Sequence, residues 1–208
     1  MNNYIKAYSI GEAWLLALKT VMADGIEIED DKGPILETVP LFIEIIHPLL
    51  PDKIIDVYGD KEHLNFLSKN FECLSPIEEW GYSYAQRLYS FNNTNQVQEV
   101  IDKLNKNPFS KSATISLLIN DEDKRHKPCL NTLDFKIRNE TLIINAMFRS
   151  QDIGKKMYGD ALELLKLGKN MIQKIRANKI TLIHAISSAH IYKSDLEMIQ
   201  SIINSTKE

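Results

Sequence analysis

The side chains with chemical potential gather in the second half of this 208-residue chain. Two alternating apolar runs, 130–138 and 141–149, flank Arg138-Asn139-Glu140-Thr141 and predict a β-hairpin. With the turn centred between Asn139 and Glu140, facing residue numbers sum to about 279, so Cys129 meets Arg149-Ser150 across the open end, within one register step. A guanidinium beside a thiol favours the thiolate, the nucleophilic form. Cys129 is therefore a candidate nucleophile, although a lone cysteine is more often a small core residue. The other cysteine, Cys73, shares no CxxC spacing with it, so two free thiols and no metal site are expected.

The elements that must hold these groups read as α+β. Trp14, Leu15, Leu18, Val21 and Met22 repeat at helical spacing over 10–23, after a Ser9/Glu12 capping box and before Asp24-Gly25. Residues 36–46 alternate as a strand, 60–69 and 76–90 read as helices, and Val97 to Leu104 marks a helix ended by Asn107-Pro108. A strand over 112–119 precedes the hairpin. A helix over 160–176, a buried strand at 180–186 and a last helix from Ser194, capped against Glu197, complete the chain. No linker or repeat divides it, so a single domain spanning 1–208 is expected.

Composition narrows the class. With 44% hydrophobic and 25% charged residues, 8 Gly and 7 Pro, the chain matches ordinary globular proteins. A net charge of −3 argues against a nucleic-acid surface. There is no basic-then-apolar leader and no run near the ~18 apolar residues that span a bilayer, so a cytoplasmic protein with no membrane partner is expected.

Four short stretches occur in order: KPCLNTLDF at 127–135, FRSQD at 148–152, GDALELL at 159–165 and AHIY at 189–192. Together they resemble the thymidylate synthase superfamily, including its short archaeal-type members. The resemblance implies a thymidylate-synthase-like mixed sheet flanked by helices, a homodimer, a pyrimidine nucleoside monophosphate as substrate and 5,10-methylenetetrahydrofolate as one-carbon donor. It implies that Cys129 adds to carbon 6 of the ring, that Arg149 and Ser150 hold the phosphate, that Asp152 belongs to the same motif, and that His190 and Tyr192 hold the sugar. More faintly, DDKG at 30–33 resembles a phosphate loop with Lys32 in place of arginine. YAQRL at 84–88 aligns Tyr84 with a family tyrosine, and EHLNFL at 62–67 makes Glu62 the candidate proton-relay carboxylate.

Departures from the family pattern carry information. The base-reading position of thymidylate synthases is an asparagine, which complements uracil; here it is Asp160, as in the cytosine-specific hydroxymethylases of the family. A carboxylate accepts the cytosine amine proton. The partner-reaching arginine pair falls near Ser110-Lys111-Ser112, so only Lys111 is left to cross a dimer. The chain ends sixteen residues after Tyr192, ahead of the segment that closes over folate in longer members, so no such lid is expected. The leading expectation is a CMP or dCMP 5-hydroxymethylase. The alternatives are a short thymidylate synthase methylating dUMP and a nucleotide-binding family member without turnover.

Overall fold

A computed structural model describes residues 3–119, 123 and 126–206. In chain order it contains β1 (Tyr4–Ala7), α1 (Ile10–Asp24), β2 (Ile26–Asp30), β3 (Gly33–Thr38), β4 (Leu41–Ile46), α2 (Lys53–Tyr58), α3 (Lys61–Glu72), α4 (Tyr84–Tyr89) and α5 (Gln96–Lys106). There follow β5 (Thr114–Ser116), β6 (Leu130–Arg138), β7 (Thr141–Phe148), β8 (Gln151–Asp152), α6 (Met157–Ile172), β9 (Lys179–Ile186), β10 (Ala189–Tyr192), a 3-10 turn at Lys193–Asp195 and α7 (Leu196–Ser205). The strands form a six-stranded sheet, β1-β4-β9-β7-β6-β5, and a four-stranded sheet, β2-β3-β10-β8. Both are mixed: in the large sheet β1 runs parallel to β4 and β7 parallel to β9, while β4–β9, β6–β7 and β5–β6 are antiparallel, and in the small one β10 runs parallel to β8 and antiparallel to β3.

One face of the large sheet carries Leu41, Ile43, Ile45, Leu133, Ile144 and Leu182, all fully buried under helices. α1 crosses this core with Trp14, whose indole Nε1 donates to the Ile153 carbonyl at 2.8 Å and whose ring lies 4.4 Å from that of Tyr158. α6 lies close on the sheet because Gly168 has no side chain; a Cβ there would come within 3.0 Å of Ile144 and 3.1 Å of Ile180. Its first turn meets α3 in the same way, since a Cβ on Gly159 would sit 2.3 Å from Leu67. These contacts fix where Asp160 sits.

The hairpin forms over a two-residue turn with Asn139 at φ +47° and Glu140 at φ +58°, the positive pair that matches strand twist. Facing residues follow the predicted sum from Arg138↔Thr141 to Thr132↔Met147, then slip by one at Asn131, so Leu130 faces Phe148. The slip sets Arg149 opposite Cys129, its N–H donating to the Cys129 carbonyl at 2.9 Å.

Several expected elements differ. The single strand over 36–46 is two strands in different sheets, broken at Val39-Pro40, because proline has no N–H to give a ladder. The helix over 76–90 is confined to Tyr84–Tyr89; before it the chain turns back through an Ile77↔Tyr82 bridge with Gly81 at φ +77°. The helix expected from Asp160 to 176 runs from Met157 to Ile172, and Asp160 lies in its first turn rather than at its cap, which is Lys156. Ser194 and Glu197 form no capping box; Ser194 sits in the 3-10 turn, and its hydroxyl donates to Asp195. The strand at 112–119 shortens to Thr114–Ser116, while β2 and α2 were not anticipated. No helix among the described residues is long and apolar enough to cross a membrane.

Candidate active site

The small sheet, the chain just before β6 and just after β7, the inward face of α3, residues 80–84 and the first turn of α6 line a cavity of about 630 Å³. Cys129 lines it at the start of β6, half-buried. Its strand end is held from three sides: the Leu130 N–H donates to the Tyr84 hydroxyl at 3.1 Å, Asn131 Nδ2 donates to the Pro128 carbonyl at 2.9 Å, and Arg149 Nε donates to the same carbonyl at 3.1 Å. Arg149 also donates to the Lys127 carbonyl at 2.8 Å and to Ser150 Oγ at 3.2 Å. A guanidinium has five donors, so two remain for an anionic ligand. Ser150 Oγ lies 3.7 Å from Cys129 Sγ.

Tyr84 is buried beside this group, and burial together with nearby Cys129 raises its hydroxyl well above the usual range. Behind it Arg87 is 2% exposed, pairs with Asp123, donates to the Leu117 carbonyl and lies 3.9 Å from the Tyr82 ring centroid. That ion pair ties α4 to Asp123.

Asp160 lines the far end and is 6% exposed. Burial pushes its carboxyl up to about 7, against the opposing hydrogen bond from Gln151 and the charge of Lys156. Gln151 Nε2 donates to Asp160 Oδ2 at 2.9 Å. β8 pairs with β10 so that Asp152 stands beside His190, and Asp152 Oδ1 accepts the Lys155 N–H at 3.1 Å. His190 and Tyr192 leave the same side of β10, their rings edge-to-face at 5.4 Å, as extended backbone requires. Burial raises Tyr192 to about 12. Lys32 reaches the cavity from the β2–β3 turn.

Cys129, Asp160, Lys32, Tyr84, Arg149, Ser150, Asp152, His190 and Tyr192 thus line one space. Glu62 and Lys111 do not; both are exposed outside it. On α3, positions 63, 67 and 70 form the inward stripe, while Glu62 shares the outer face with Phe66 and Lys69. The polar group that α3 does offer is Asn70, 1% exposed, whose Oδ1 accepts the Tyr84 N–H at 2.9 Å and whose Nδ2 has no partner.

Three residues escaped the sequence reading. Asn70 was hidden because nothing in a short helix marks its inward face. Gln151 was passed over as the variable letter of its motif. Trp80 stacks on His126 at 5.2 Å with rings 5° from parallel, while the Tyr82 hydroxyl meets His126 Nδ1 at 3.0 Å. A tryptophan next to a glycine in a charged stretch was the available signal for this aromatic wall. Among the described residues no group of three or more His, Cys, Asp or Glu could hold a metal ion.

A sequence profile of the family described as "Thymidylate synthase" matches residues 52–208. A protein of Methanosarcina mazei described as "Putative thymidylate synthase" is 30% identical over 203 residues, covering 96% of this chain and 94% of that protein. A protein of the same description from Methanothermobacter marburgensis is 28% identical over 219 residues, covering 96% and 97%.

Proposed function

Because the chain belongs to the thymidylate synthase family, we propose that it transfers a one-carbon unit to carbon 5 of a cytosine nucleoside monophosphate, CMP or dCMP, as a 5-hydroxymethylase. The observation that carries the cytosine reading is Asp160, a buried carboxyl on the same cavity as Cys129. Cys129 Sγ adds to carbon 6 of the ring, the double-bond electrons make carbon 5 nucleophilic, and carbon 5 bonds the one-carbon unit. Loss of the carbon-5 proton to water and departure of the carrier amine from the transferred carbon leave an exocyclic methylene. Water adds to it, and departure of Cys129 restores the ring. Arg149, with Ser150, Lys32 and Lys127 near it, holds the phosphate, so binding far from the reacting carbon positions the base. His190 and Tyr192 hold the sugar. Asp160 accepts the 4-amino proton and shares a proton with ring nitrogen 3 as addition at carbon 6 makes that nitrogen more basic.

Bound 5,10-methylenetetrahydrofolate supplies the one-carbon unit at the formaldehyde oxidation level. The residues present fit a flat donor of this kind: Trp80 and Tyr82 give the cavity an aromatic side, and the unpaired Nδ2 of Asn70 offers a buried donor for a ring acceptor.

Two observations favour a second reading, methylation of dUMP. The relatives carry the thymidylate synthase description, and a carboxyl raised to about 7 is partly protonated at neutral pH and then donates to a uracil carbonyl. Release of tritium from carbon 5 of labelled CMP, dCMP and dUMP, with folate, tests the two. Release from cytosine nucleotides is expected; release from dUMP alone overturns the cytosine reading. No release from any of them, in protein that binds nucleotide, leaves the binding-protein alternative.

The assembly we propose is a cytoplasmic homodimer joined through the outer face of the large sheet. Tyr4, Phe42, Ala185 and Met147 are direct cross-strand neighbours on one row of that face, and Tyr4, Phe42 and Met147 are 48%, 43% and 50% exposed. Lys111 then serves the partner's cavity. A stable monomer in sedimentation at micromolar concentration would count against this assembly.

A further inference from the structure

His184, on β9, is completely buried and takes no part in the chemistry above. Its Nδ1 lies 3.3 Å from Gln151 Oε1, and the other end of the Gln151 amide donates to Asp160, so three buried polar side chains form one line ending at the cavity. An amide in such a line has a direction, because its oxygen only accepts and its nitrogen only donates.

Burial pushes His184 down to about 3, so the ring is neutral and carries a single N–H. Its Nε2 is buried with no partner, in a ring 5.0 Å from that of Phe148. A proton on Nε2 would leave a buried donor unpaired and would make Nδ1 an acceptor. Gln151 would then have to turn its nitrogen to His184 and its oxygen to Asp160, setting two acceptors face to face whenever Asp160 is ionised. A proton on Nδ1 satisfies every member: Nδ1–H donates to Oε1, and Nε2 of Gln151 donates to Asp160 Oδ2. Only a lone pair on His184 Nε2 is then left unpaired, which costs less than a stranded N–H.

We propose that His184 and Gln151 are positioning residues forming a polarity lock: His184, as the Nδ1–H tautomer, holds the Gln151 amide with its nitrogen toward Asp160, so that Asp160 offers an acceptor to the ligand and selects the 4-amino edge of cytosine over the carbonyl edge of uracil. This rests on the cytosine reading of Asp160 and adds what enforces it. Without the lock, Gln151 can reverse, Asp160 can keep a proton and donate, and the edge that distinguishes the two bases loses its fixed sign.

The experiment has two arms. Long-range ¹⁵N–¹H correlation on the full-length protein reads the His184 tautomer without any substitution; Nδ1–H is expected, and Nε2–H overturns the lock. In the second arm, kcat/KM for dCMP relative to dUMP, by carbon-5 tritium release, is compared in wild type, H184L, H184N and Q151E. H184L loses the donor and Q151E forces a proton between two carboxyls, so both should lower the cytosine-to-uracil ratio about 10-fold. H184N keeps an N–H near the place of Nδ1 and should restore most of the ratio, a rescue that mere packing would not give. A ratio unmoved in folded H184L and Q151E, with wild type favouring cytosine, overturns the lock alone. Wild type favouring uracil overturns the cytosine reading, whatever the tautomer. Should the variants fail to fold, the wild-type tautomer still decides.

Discussion

The two sides of the cavity are held in place by different physics. Cys129, Arg149, Ser150, Asp152, His190 and Tyr192 stand on strands or at strand ends, where backbone hydrogen bonds set which residue faces which. Asn70, Trp80, Tyr82 and Lys32 come from a helix face, a loop and a hairpin tip, where tertiary packing decides what points inward. On the function proposed above, the strand side carries the nucleophile and the groups that hold phosphate and sugar, and the helix and loop side carries most of the groups that meet the folate. Asp160 belongs to neither: it is helical, yet Gly159 and Gly168 let that helix press against both α3 and the sheet.

The strongest test of this contrast is Cys129→Ser. Turnover should fall by at least about 10³-fold, while nucleotide binding survives, because the residues proposed to hold phosphate and sugar are other ones. Intact-protein mass spectrometry with a 5-fluoropyrimidine nucleotide and folate should show an adduct in wild type and none in the variant. An adduct on Cys73, which is exposed outside the cavity, would move the chemistry elsewhere.

Asp160→Asn should act on specificity first, moving preference toward uracil by about 10-fold, as expected for one mismatched buried pair worth roughly 1–3 kcal/mol. It should also change how stability depends on pH. The folded carboxyl is raised to about 7 from an unfolded value near 3.8, so between those limits the native state holds the extra proton and wild type loses stability as pH rises. The loss is at most roughly 1.4 kcal/mol per pH unit within that window, and asparagine has none of it. The melting temperature of Asp160→Asn relative to wild type should climb from pH 4 to 7 and level off above. A constant difference would mean that the carboxyl is not buried as described.

The same contrast explains what the sequence reveals. Period-two alternation and an Asn-Glu turn were enough to bring Cys129 opposite Arg149, and the one-residue slip at Asn131 only decided that Arg149, not Ser150, is its direct neighbour. His190 and Tyr192 were singled out by the resemblance carried by AHIY, and the same rule adds only that both leave one side of their strand. Helix existence was legible from apolar spacing in α1, α5 and α6, but ends were less so: Lys156 caps α6 without a side-chain hydrogen bond, leaving no capping signature to read. Inward faces were least legible. Over 60–72 the apolar residues do not mark one stripe, since Phe66 is 38% exposed while Asn70 is 1% exposed.

That last point yields the smallest effects and the closest comparison. Asn70→Asp keeps the acceptor for the Tyr84 N–H and removes the unpaired Nδ2 donor, so the α4 cap persists while a cavity-facing donor becomes a carboxylate. Substrate or folate affinity should weaken by about 10-fold, the worth of one buried hydrogen bond lost, and the melting temperature relative to wild type should fall as pH rises, because the new carboxyl is buried with one oxygen unpaired. Glu62→Gln alters an exposed side chain on the outer face of the same helix, and kcat and KM should both stay within about 2-fold of wild type, since substitutions away from buried features rarely exceed about 0.5 kcal/mol. The two variants differ by eight positions on one helix, so any general softening of α3 would affect both. A large loss of kcat in Glu62→Gln, with Asn70→Asp near wild type, would mean that α3 turns during catalysis and that its face in the free protein is not the face that meets the nucleotide.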